Sequence, residues 1–474
     1  MDTKKLRQKI LDLAIRGKLV PQDPNDEPAS VLLERIRAEK EQLIKEGKIK
    51  RTKKSNASDT SHYENYALPA GWQYATMGEI CSKIVDGDHN PPSAQSTPTK
   101  YLMVSSRNIA NDKICNITDV RYLTEHDFYC AHNRTFVEKG DILFTSVASL
   151  GRTCIYNLEG PVTFQRSVTV IKTHIYNKYL KLFLDSPIYQ NYVNGNARGT
   201  AQKGFYINQI SDSWVPIPPL AEQIRIATKA EELINTVCQL EILKDDLGNN
   251  IEKAKSIILD MAIMGRLTPH DPFDEPAIEL LKGISPNFSS CDNRHYENIE
   301  LIIPETWCWA TVGDVFKHNT GKALNSSNHN GVMMDYITTS NLYWDRFDLS
   351  IVKQMPFTET EIDKCTVTKG DLLVCEGGDV GRSAIWDYDY DIRIQNHIHR
   401  LRGKDNVCVR YFFYVLMLYK QKNYIGGKGV AIQGLSSRDL HNLPIPVPPL
   451  KEQCRIAEAL DNLIAKMDKI AAEL

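Results

Sequence analysis

The sequence predicts an α+β protein in which two pseudo-symmetric globular α/β domains are separated by two long antiparallel coiled-coil helices, in a cyclic arrangement with adjacent termini. Two internal repeats and one apolar seam lead to this prediction. Residues 214–234 recur at 444–464, at an offset of 230, and residues 5–33 recur at 253–281, at an offset of 248. Because a repeated rigid element holds something twice at a fixed separation, we expect two equivalent halves.

Each copy of the first repeat is predicted to start a helix at a pair of prolines. The pairs stand directly before Leu220 and Leu450. Tandem prolines cannot lie inside a helix, but they fit its first turn. Glu222 and Glu452 then follow near the positive end of the helix dipole.

A coiled-coil seam predicts that the helix after Leu220 continues for about 45 residues. The seam positions alternate in steps of four and three, and the polar Lys244 interrupts them. At ~1.5 Å per residue such a helix spans ~65 Å, which is on the scale of two domains. The seam positions are Leu233, Val237, Leu240, Lys244, Leu247, Ile251, Ala254 and Ile258.

The same seam continues after the second proline pair and resumes at the start of the chain. It runs from Leu463 to Leu474, and Leu6 then matches Ala254. When the C-terminal helix followed by the N-terminal helix is aligned with the central helix, only positions 245–248 of the central helix have no equivalent. The C-terminal helix followed by the N-terminal helix therefore makes one copy of the central helix, which predicts that the two termini are neighbours.

The second repeat predicts a helix, a proline-rich turn and a shorter helix, with Gly17 and Gly265 ending the first helix of each copy. From Leu68 and Ile303 two matching segments begin, and their short runs of β-branched and aromatic residues predict strands and hairpins followed by helices. The predicted divisions are 1–67 for the N-terminal half of a split helical region and its linker, 68–219 for the first globular domain, 220–302 for the central helical region, 303–449 for the second globular domain, and 450–474 for the C-terminal half of the split helix.

Composition excludes several classes of protein. The 474 residues are 42% hydrophobic and 24% charged, as in ordinary globular proteins, and no apolar run approaches the ~20 residues that span a bilayer. The charged, amphipathic N-terminus does not resemble a signal peptide. Eleven cysteines without a CxxC pair argue against a disulfide framework and a structural zinc site. We therefore expect a cytoplasmic protein.

Four motifs resemble the specificity subunit of type I restriction-modification systems: PIPPLAEQIRI, PIPVPPLKEQCRI, LDLAIRGKLVPQD and LDMAIMGRLTPHD. The resemblance covers essentially the whole chain. It implies a non-catalytic subunit whose two target-recognition domains read a bipartite, asymmetric target in double-stranded DNA. It also implies that two modification (methyltransferase) subunits dock on the helices and that restriction (translocase/nuclease) subunits join them. Those partners would use S-adenosylmethionine, ATP and Mg, and this chain would hold no cofactor.

The charge balance is an objection to DNA binding by this chain alone. The net charge is −2, and residues 68–219 hold 14 Lys and Arg against 12 Asp and Glu, while residues 303–449 hold 16 against 16. Non-specific affinity should then be modest, unless partner subunits supply much of the phosphate contact. The alternative function is a two-domain scaffold that binds protein or glycan and has no nucleic-acid role.

Candidate DNA contacts come in equivalent pairs. Arg152 and Arg382 follow a glycine in each domain, and a shared structural or phosphate role is favoured over base readout. Gln165 and Arg166 align with Gln395 and Asn396. Amide side chains pair well with adenine edges, but a strand-end hydrogen bond to backbone explains them equally well.

Two further groups of candidates lie in turns and loops. Ser106, Arg107 and Asn108 match Thr339, Ser340 and Asn341, and loop capping is favoured over DNA contact there. Two glycine-rich stretches permit close approach to phosphate, and neither fits a nucleotide-binding phosphate loop. Their candidate residues are Arg198, Lys203, Lys428 and Gln433.

The residues after the prolines are helix-start residues, for which we also predict a role in binding the methyltransferase subunits. They are Glu222, Gln223, Arg225, Glu452, Gln453 and Arg455. Asn90-Pro91-Pro92-Ser93 lacks the aromatic residue of an adenine methyltransferase motif, so a turn is favoured. The basic run Lys48–Lys54 is interpreted as a solvated linker in preference to a DNA-phosphate arm. No residues with metal-ligand spacing or a catalytic pattern stand out.

Overall fold

In the computed structural model the chain divides into two compact units, Met1–Leu243 and Lys244–Leu474, and each carries one copy of the repeated parts. The basic run Lys48–Lys54 lies outside the described residues. The structure describes residues 2–47, 67–199, 203–291, 299, 301–324, 330–404, 407–425 and 435–474.

The first unit begins with two helices joined by a proline-rich turn. Helix α1 (Thr3–Ile15) starts at Asp2, whose Oδ1 accepts a hydrogen bond from the Lys5 N–H at 3.0 Å. It ends just before Gly17, whose φ of +63° is the left-handed conformation that glycine adopts without strain. Helix α2 (Ala29–Lys45) follows. The predicted order of helix, turn and helix is confirmed.

The globular part of the first unit is a mixture of short strands and helices whose first and last strands pair. In chain order its elements are β1 (Gln73–Thr76), α3 (Met77–Ile80), β2 (Cys81–Asp86), β3 (Leu102–Val104), a 3-10 turn (Ser106–Asn108), β4 (Ile109–Ala110), β5 (Lys113–Ile114), β6 (Arg121–Tyr122), α4 (Glu125–Thr135), β7 (Ile142–Thr145), β8 (Thr153–Ile155), β9 (Val162–Phe164), β10 (Val168–Thr173), α5 (Asn177–Asp185), α6 (Pro187–Asn196), α7 (Ile207–Asp212) and β11 (Trp214–Ile217).

The pairing of β1 with β11 brings the entry and the exit of the globular part together. The two strands are antiparallel, with Ala75 opposite Val215. Pro216 is tolerated in β11 because a two-stranded sheet has only edge strands.

A four-stranded sheet in the order β2-β10-β7-β8 separates two apolar cores. Successive side chains of a strand point to opposite faces of its sheet. Ile142 and Phe144 of β7 therefore pack with the helices in one core. Leu143, between them, packs with Phe164 in a second core next to the small sheet β6-β3-β9.

Where the sequence predicted helices after the strands of the first unit, the structure has α5 and α6 in succession. The break lies at Ser186, where the Oγ atom accepts from the Tyr189 N–H at 3.3 Å, and Pro187 begins the new helix. Proline fits the first turn of a helix and not its interior, so it ends α5.

Helix α8 (Leu220–Ile263) is the long helix that the seam predicted, with 44 residues. Its first part belongs to the first unit, where α1 packs against it. Arg7 contacts Glu241 at 2.7 Å, whereas Asp26, which lies beyond α1 in the chain, contacts Arg225 at 2.6 Å. As the chain runs from Arg7 to Asp26, its contacts on α8 therefore move back from Glu241 to Arg225. The two helices are thus antiparallel.

The second unit repeats this plan. Its sheets β13-β22-β19-β20 and β12-β23 have the strand orders of the first unit. Its elements after α8 are α9 (Ala277–Ile284), β12 (Cys308–Thr311), α10 (Val312–Val315), β13 (Phe316–Thr320), β14 (Val332–Ile337), β15 (Leu342–Tyr343), β16 (Arg346–Phe347), β17 (Lys353–Phe357), α11 (Glu359–Cys365), β18 (Thr366–Val367), β19 (Leu372–Cys375), β20 (Ser383–Ile385), β21 (Ile392–Ile394), β22 (Ile398–Gly403), α12 (Val409–Gln421), α13 (Ser437–His441), β23 (Pro444–Val447) and α14 (Leu450–Glu473).

Helix α14 runs antiparallel to the part of α8 in the second unit. Lys255 contacts Asp468 at 2.6 Å, and Asp274 contacts Arg455 at 2.6 Å. The α+β class, the duplication and the long helix are thus confirmed. The cyclic arrangement, the continuous coiled coil and the adjacent termini stay predictions, because they concern both units together.

Candidate nucleic-acid interface

A buried glutamine after each proline pair attaches the globular part of each unit to a helix start. The side-chain nitrogen of Gln223 donates to the Pro218 carbonyl at 2.9 Å, and its oxygen accepts from the Tyr176 N–H at 3.0 Å. Gln453 makes the same two bonds, to the Pro448 carbonyl and the Cys408 N–H. Both glutamines are 0% exposed. Each glutamine therefore links the proline turn, and the long helix that starts after it, to the start of a helix in the globular part, which is α5 in the first unit and α12 in the second.

The glutamate before each glutamine is also buried. The indole N–H of Trp72 donates to Glu222 at 2.9 Å, and that of Trp307 donates to Glu452 at 3.1 Å. Burial raises the pKa of both carboxyl groups. In the second unit the Nδ1 atom of His270 also lies 2.7 Å from Glu452 Oε1. These carboxyl groups fix the tryptophans of the LPAGW and IPETW segments.

The six residues predicted to bind partner subunits thus have contacts within their own units. The remaining two, Arg225 and Arg455, pair with Asp26 and Asp274 at 2.6 Å and close the proline-rich turn on the helix. The internal role is what the structure shows. A direct contact of these residues with another subunit stays a prediction, and the burial of the glutamates and glutamines leaves little surface for it.

Asn108 and Asn341 hold equivalent loops. The side-chain oxygen of Asn108 accepts from the Ser105 N–H at 3.1 Å, and its nitrogen donates to the Asn116 and Asp119 carbonyls. Asn341 repeats this with Thr338, Asp348 and Ile351. Both asparagines are buried. The structure therefore supports loop capping for these two, whereas their neighbours Arg107 and Ser340 are exposed.

Arg152 and Arg382 brace those same loops. Arg152 donates to the Ile109 carbonyl at 3.2 Å, and Arg382 donates to the Thr339 carbonyl at 2.7 Å. Arg382 also lies over the ring of Tyr343, 5.3 Å from its centroid. The shared structural role that the sequence favoured is therefore what the structure shows for both arginines.

A tight turn begins at Gln165 and Arg166 in the first unit and at Gln395 and Asn396 in the second. A neighbouring loop fixes the backbone of each turn. The Arg166 N–H donates to the Asp88 carbonyl at 2.9 Å, and the Asn396 N–H donates to the Lys322 carbonyl at 2.9 Å. The loop passes so close that a Cβ atom on Gly87 or Gly321 would collide with the carbonyls of the turn. The backbone groups rather than the side-chain amides make these bonds.

A cleft of about 350 Å³ in the first unit gathers residues that are far apart in sequence. Arg166 enters it from the turn, beside His89, and Tyr206 and Asn208 follow the glycine-rich stretch. Tyr206 is 51% exposed. His89 contacts Asp86 at 2.5 Å. Sequence reasoning missed His89, Tyr206 and Asn208 because no sequence pattern marks a single polar residue in a loop or at a helix start.

The glycine-rich stretch of the first unit is closed by a two-residue bridge. Arg198 and Gly204 exchange two backbone hydrogen bonds, of 2.9 and 2.8 Å. Arg198 and Lys203 are both exposed next to this bridge. The matching candidates of the second unit, Lys428 and Gln433, lie outside the described residues.

The second unit has different side chains at the same backbone positions. The Glu376 N–H donates to the His397 carbonyl at 2.9 Å, as the Ser146 N–H donates to the Ser167 carbonyl at 3.0 Å in the first unit. The second unit therefore presents Glu376, Asn396 and His397 where the first presents Ser146, Arg166 and Ser167.

Three histidines lie behind this surface of the second unit. His318 Nε2 lies 3.1 Å from His399 Nδ1, and His399 Nε2 lies 2.8 Å from the Leu435 carbonyl. His441 stacks on His318, with ring centroids 6.1 Å apart. Burial, with the charges of the neighbouring histidines, lowers the pKa of His318 to about 4, and burial also lowers the pKa of His399.

Across the described ranges no group of histidine, cysteine and carboxylate side chains is arranged to hold a metal ion. Nor does any helix of the described residues combine the length and the apolar character needed to cross a membrane. Asn90, in the NPP segment, donates its N–H to Asp88 Oδ1 at 2.9 Å, and Arg121 donates to the Pro92 carbonyl, so this segment is an ordinary turn.

Comparison with solved structures finds the same fold in the HsdS subunit from Thermoanaerobacter tengcongensis. The TM-score is 0.56 at 19% identity, over 86% of this chain and 93% of that chain. The duplicated architecture of this chain is thus shared with that subunit.

The family model described as the type I restriction modification DNA specificity domain matches residues 69–252 and 304–474, and the chain belongs to this family. The EcoAI specificity subunit of Escherichia coli is 26% identical, over 98% of this chain and 90% of the relative. The EcoEI specificity subunit of Escherichia coli is 25% identical, over 99% and 90%. The family consists of non-catalytic determinants of the DNA target, so the chain is a specificity subunit and not an enzyme.

We expect Gln223→Ala to destabilise the first unit by about 2–4 kcal/mol, because it leaves the buried Pro218 carbonyl and the half-buried Tyr176 N–H without partners. Hydrogen exchange measured by mass spectrometry would show lost protection in α5 and at the start of α8. The matched variant Gln453→Ala should change protection in α12 and α14 instead. Equal losses in both units after either substitution would contradict the proposed local attachment.

The second unit should become less stable as the pH falls from about 6.5 to about 4. In this range unfolded histidine binds a proton that folded His318 does not bind, since its pKa is about 4. His318→Asn should reduce this loss by about 1–2 kcal/mol, a figure lowered for the partial exposure of the side chain. Urea unfolding followed at pH 7 and pH 5 measures it, with His126→Gln, an exposed histidine, as the control. If His318→Asn loses as much unfolding free energy between pH 7 and pH 5 as the unmodified protein, the prediction is wrong.

Proposed function

We propose that this chain reads a bipartite, asymmetric target in double-stranded DNA, with one half read by each globular unit. The observation that carries this proposal is a common backbone frame that holds different side chains at equivalent positions. Asn108 and Asn341 fix matching loops, and Arg152 and Arg382 brace them. A frame of this kind orients side chains toward base edges at equivalent positions while their identity decides which bases are preferred.

These positions differ in charge as well as in shape. The first unit offers the exposed cation Arg166, whereas the second offers the half-buried Asn396 followed by His397, whose Nδ1 atom lies 3.6 Å from Glu376. Arginine pairs best with guanine, and asparagine pairs best with adenine. Two unlike half-sites therefore follow from two unlike surfaces on one frame.

The long helix supports the bipartite part of the proposal. In the chain, α8 comes between the two globular parts, and it is unbroken over 44 residues. A helix transmits a fixed length of ~1.5 Å per residue, whereas a flexible linker would allow a range of distances. A set gap between half-sites is thus the expected result of a helical connection.

Docking of two methyltransferase subunits on the helices is the other part of the proposal. Helix α8 carries exposed apolar side chains one turn apart in each unit, Leu220 with Ile224 and Ile257 with Met261, and Ile257 is 58% exposed. Apolar side chains at such spacing suit a protein partner. We infer that these subunits, and the restriction subunits that join them in the cytoplasm, use S-adenosylmethionine, ATP and Mg, while this chain binds no cofactor.

Arg166→Ala should lower methylation at the native target about tenfold and relax preference within one half-site, since a lost bidentate base contact costs about 1–3 kcal/mol. Methylation mapped in cells that express the complete system measures both effects. Lys139→Ala is the matched control, because Lys139 lies in the turn before the opposite end of β7 and pairs with Glu159. Equal loss in both half-sites would point to general phosphate binding by Arg166.

An insertion of four helical residues after Gly248 should lengthen the gap between half-sites by about one or two base pairs, because four residues add ~6 Å and one base pair spans ~3.4 Å. Gly248 lies on α8 with open space where a Cβ atom would be, so the site tolerates change. The methylated motif of cells with this variant gives the gap and the bases. Altered bases with an unaltered gap would overturn the role of the helix as a spacer.

A further inference from the structure

Two thiols lie at the junction between α12 and α14 in the second unit. Cys408 is the residue directly before α12, and Cys454 lies near the start of α14. The Cys408 N–H donates to Gln453 Oε1 at 3.0 Å, so its backbone is held beside the residue that precedes Cys454. Both cysteines also line the same cavity.

The fold does not require this pair of thiols. In the first unit the same junction is made by the Tyr176 N–H, which donates to Gln223 Oε1 at 3.0 Å. Tyr176 takes the place of Cys408 there, and Ile224, the residue after Gln223, takes the place of Cys454. A chemical role of the cysteines is therefore separable from the attachment that both units share.

The two helices that carry the thiols are held together a short distance further along. Arg410 Nη2 and the Tyr414 hydroxyl, both on α12, each lie 2.6 Å from Asp461 Oδ1 on α14. Because these contacts fix the helices relative to each other, the thiols remain near one another while α12 stays in place.

Both cysteines line a cavity of about 390 Å³ that also holds three cationic side chains, Lys369, Arg402 and Lys404. Arg402 pairs with Asp371 at 2.6 Å, and Lys369 pairs with Asp389 at 2.8 Å. Lys404 donates to the Gly313 and Asp314 carbonyls and pairs with no carboxylate of the described residues, so it is the cation that can attract an anion here. Cys454 is exposed at this cavity, whereas Cys408 is half-buried.

We propose that Cys454 and Cys408 form a thiol–disulfide exchange site for an anionic low-molecular-weight disulfide such as oxidised glutathione. The Cys454 thiolate attacks one sulfur of the disulfide, and the first glutathione leaves as a thiolate that takes up the proton lost by Cys454. The Cys408 thiolate then attacks the Cys454 sulfur and releases the second glutathione, which is protonated in turn. Two protein thiols are oxidised to one disulfide, and one small disulfide is reduced to two thiols.

The order of attack follows from the surroundings of the two thiols. Burial raises the pKa of the Cys408 thiol to about 11, and the neighbouring Cys454 adds to the shift. The thiolate is the nucleophile, so the exposed Cys454 reacts first. Once Cys454 carries glutathione, its contribution to the raised pKa of Cys408 is removed, although the larger effect of burial remains. Cys408 then attacks the mixed disulfide through the fraction of its thiol that is ionised.

The test is to treat the folded, full-length chain with oxidised glutathione and to digest it with trypsin without reduction. A crosslink between the peptides DNVCVR and EQCR is expected, at a rate at least about tenfold above glutathione addition to Cys130, on the scale of electrostatic attraction. Cys130 is an internal control, since it is also exposed and contacts His126. With the uncharged bis(2-hydroxyethyl) disulfide, or at high salt, the tenfold advantage should disappear.

Two variants separate the steps. Cys408→Ser should stop at a glutathione adduct on EQCR, and Cys454→Ser should leave DNVCVR unmodified over the same time. A wild-type chain that keeps the adduct without forming the crosslink would overturn the pairing. A Cys454 that reacts no faster than Cys130, or a crosslink that forms only in urea, would overturn the site.

Discussion

The buried glutamine that follows each proline pair is the contact on which the architecture of each unit depends. Gln223 and Gln453 each bond a proline carbonyl on one side and a backbone N–H of the globular part on the other. Prolines cannot donate hydrogen bonds, so the turn before the helix offers only carbonyls, and a side-chain amide is well suited to pair with them. One residue type at one position thereby sets how a helix leaves the sheet that precedes it.

This attachment explains why a globular domain can be placed between two helical segments. The strands β1 and β11, like β12 and β23, pair where the chain enters and leaves the globular part. Because entry and exit are adjacent, changes within the domain do not move its helices. A specificity subunit can then vary its recognition surface while the helical part stays the same.

A nearly neutral domain produces only a weak electrostatic field. Its recognition of a target therefore depends more on a few well-oriented side chains than on long-range attraction. Each globular part has almost equal numbers of cations and carboxylates, and many of these pair with each other, as Arg134 does with Asp86 at 2.6 Å. Discrimination between bases depends on groups held in a fixed direction. The braced loops at Asn108 and Asn341 provide such directions, and the proposed partner subunits would supply the remaining affinity.

The sequence by itself determined the duplication, the long helix and the family, because prolines, glycines and apolar periodicity act locally and recur at fixed offsets. It also indicated that Arg152 and Arg382 have a shared structural role. It likewise favoured loop capping at Asn108. Only the tertiary structure decided that Gln223 and Glu222 are buried and that Arg166 shares a cleft with His89 and Tyr206. Those outcomes depend on which distant segments pack against a residue, and one-dimensional patterns carry no information on that packing.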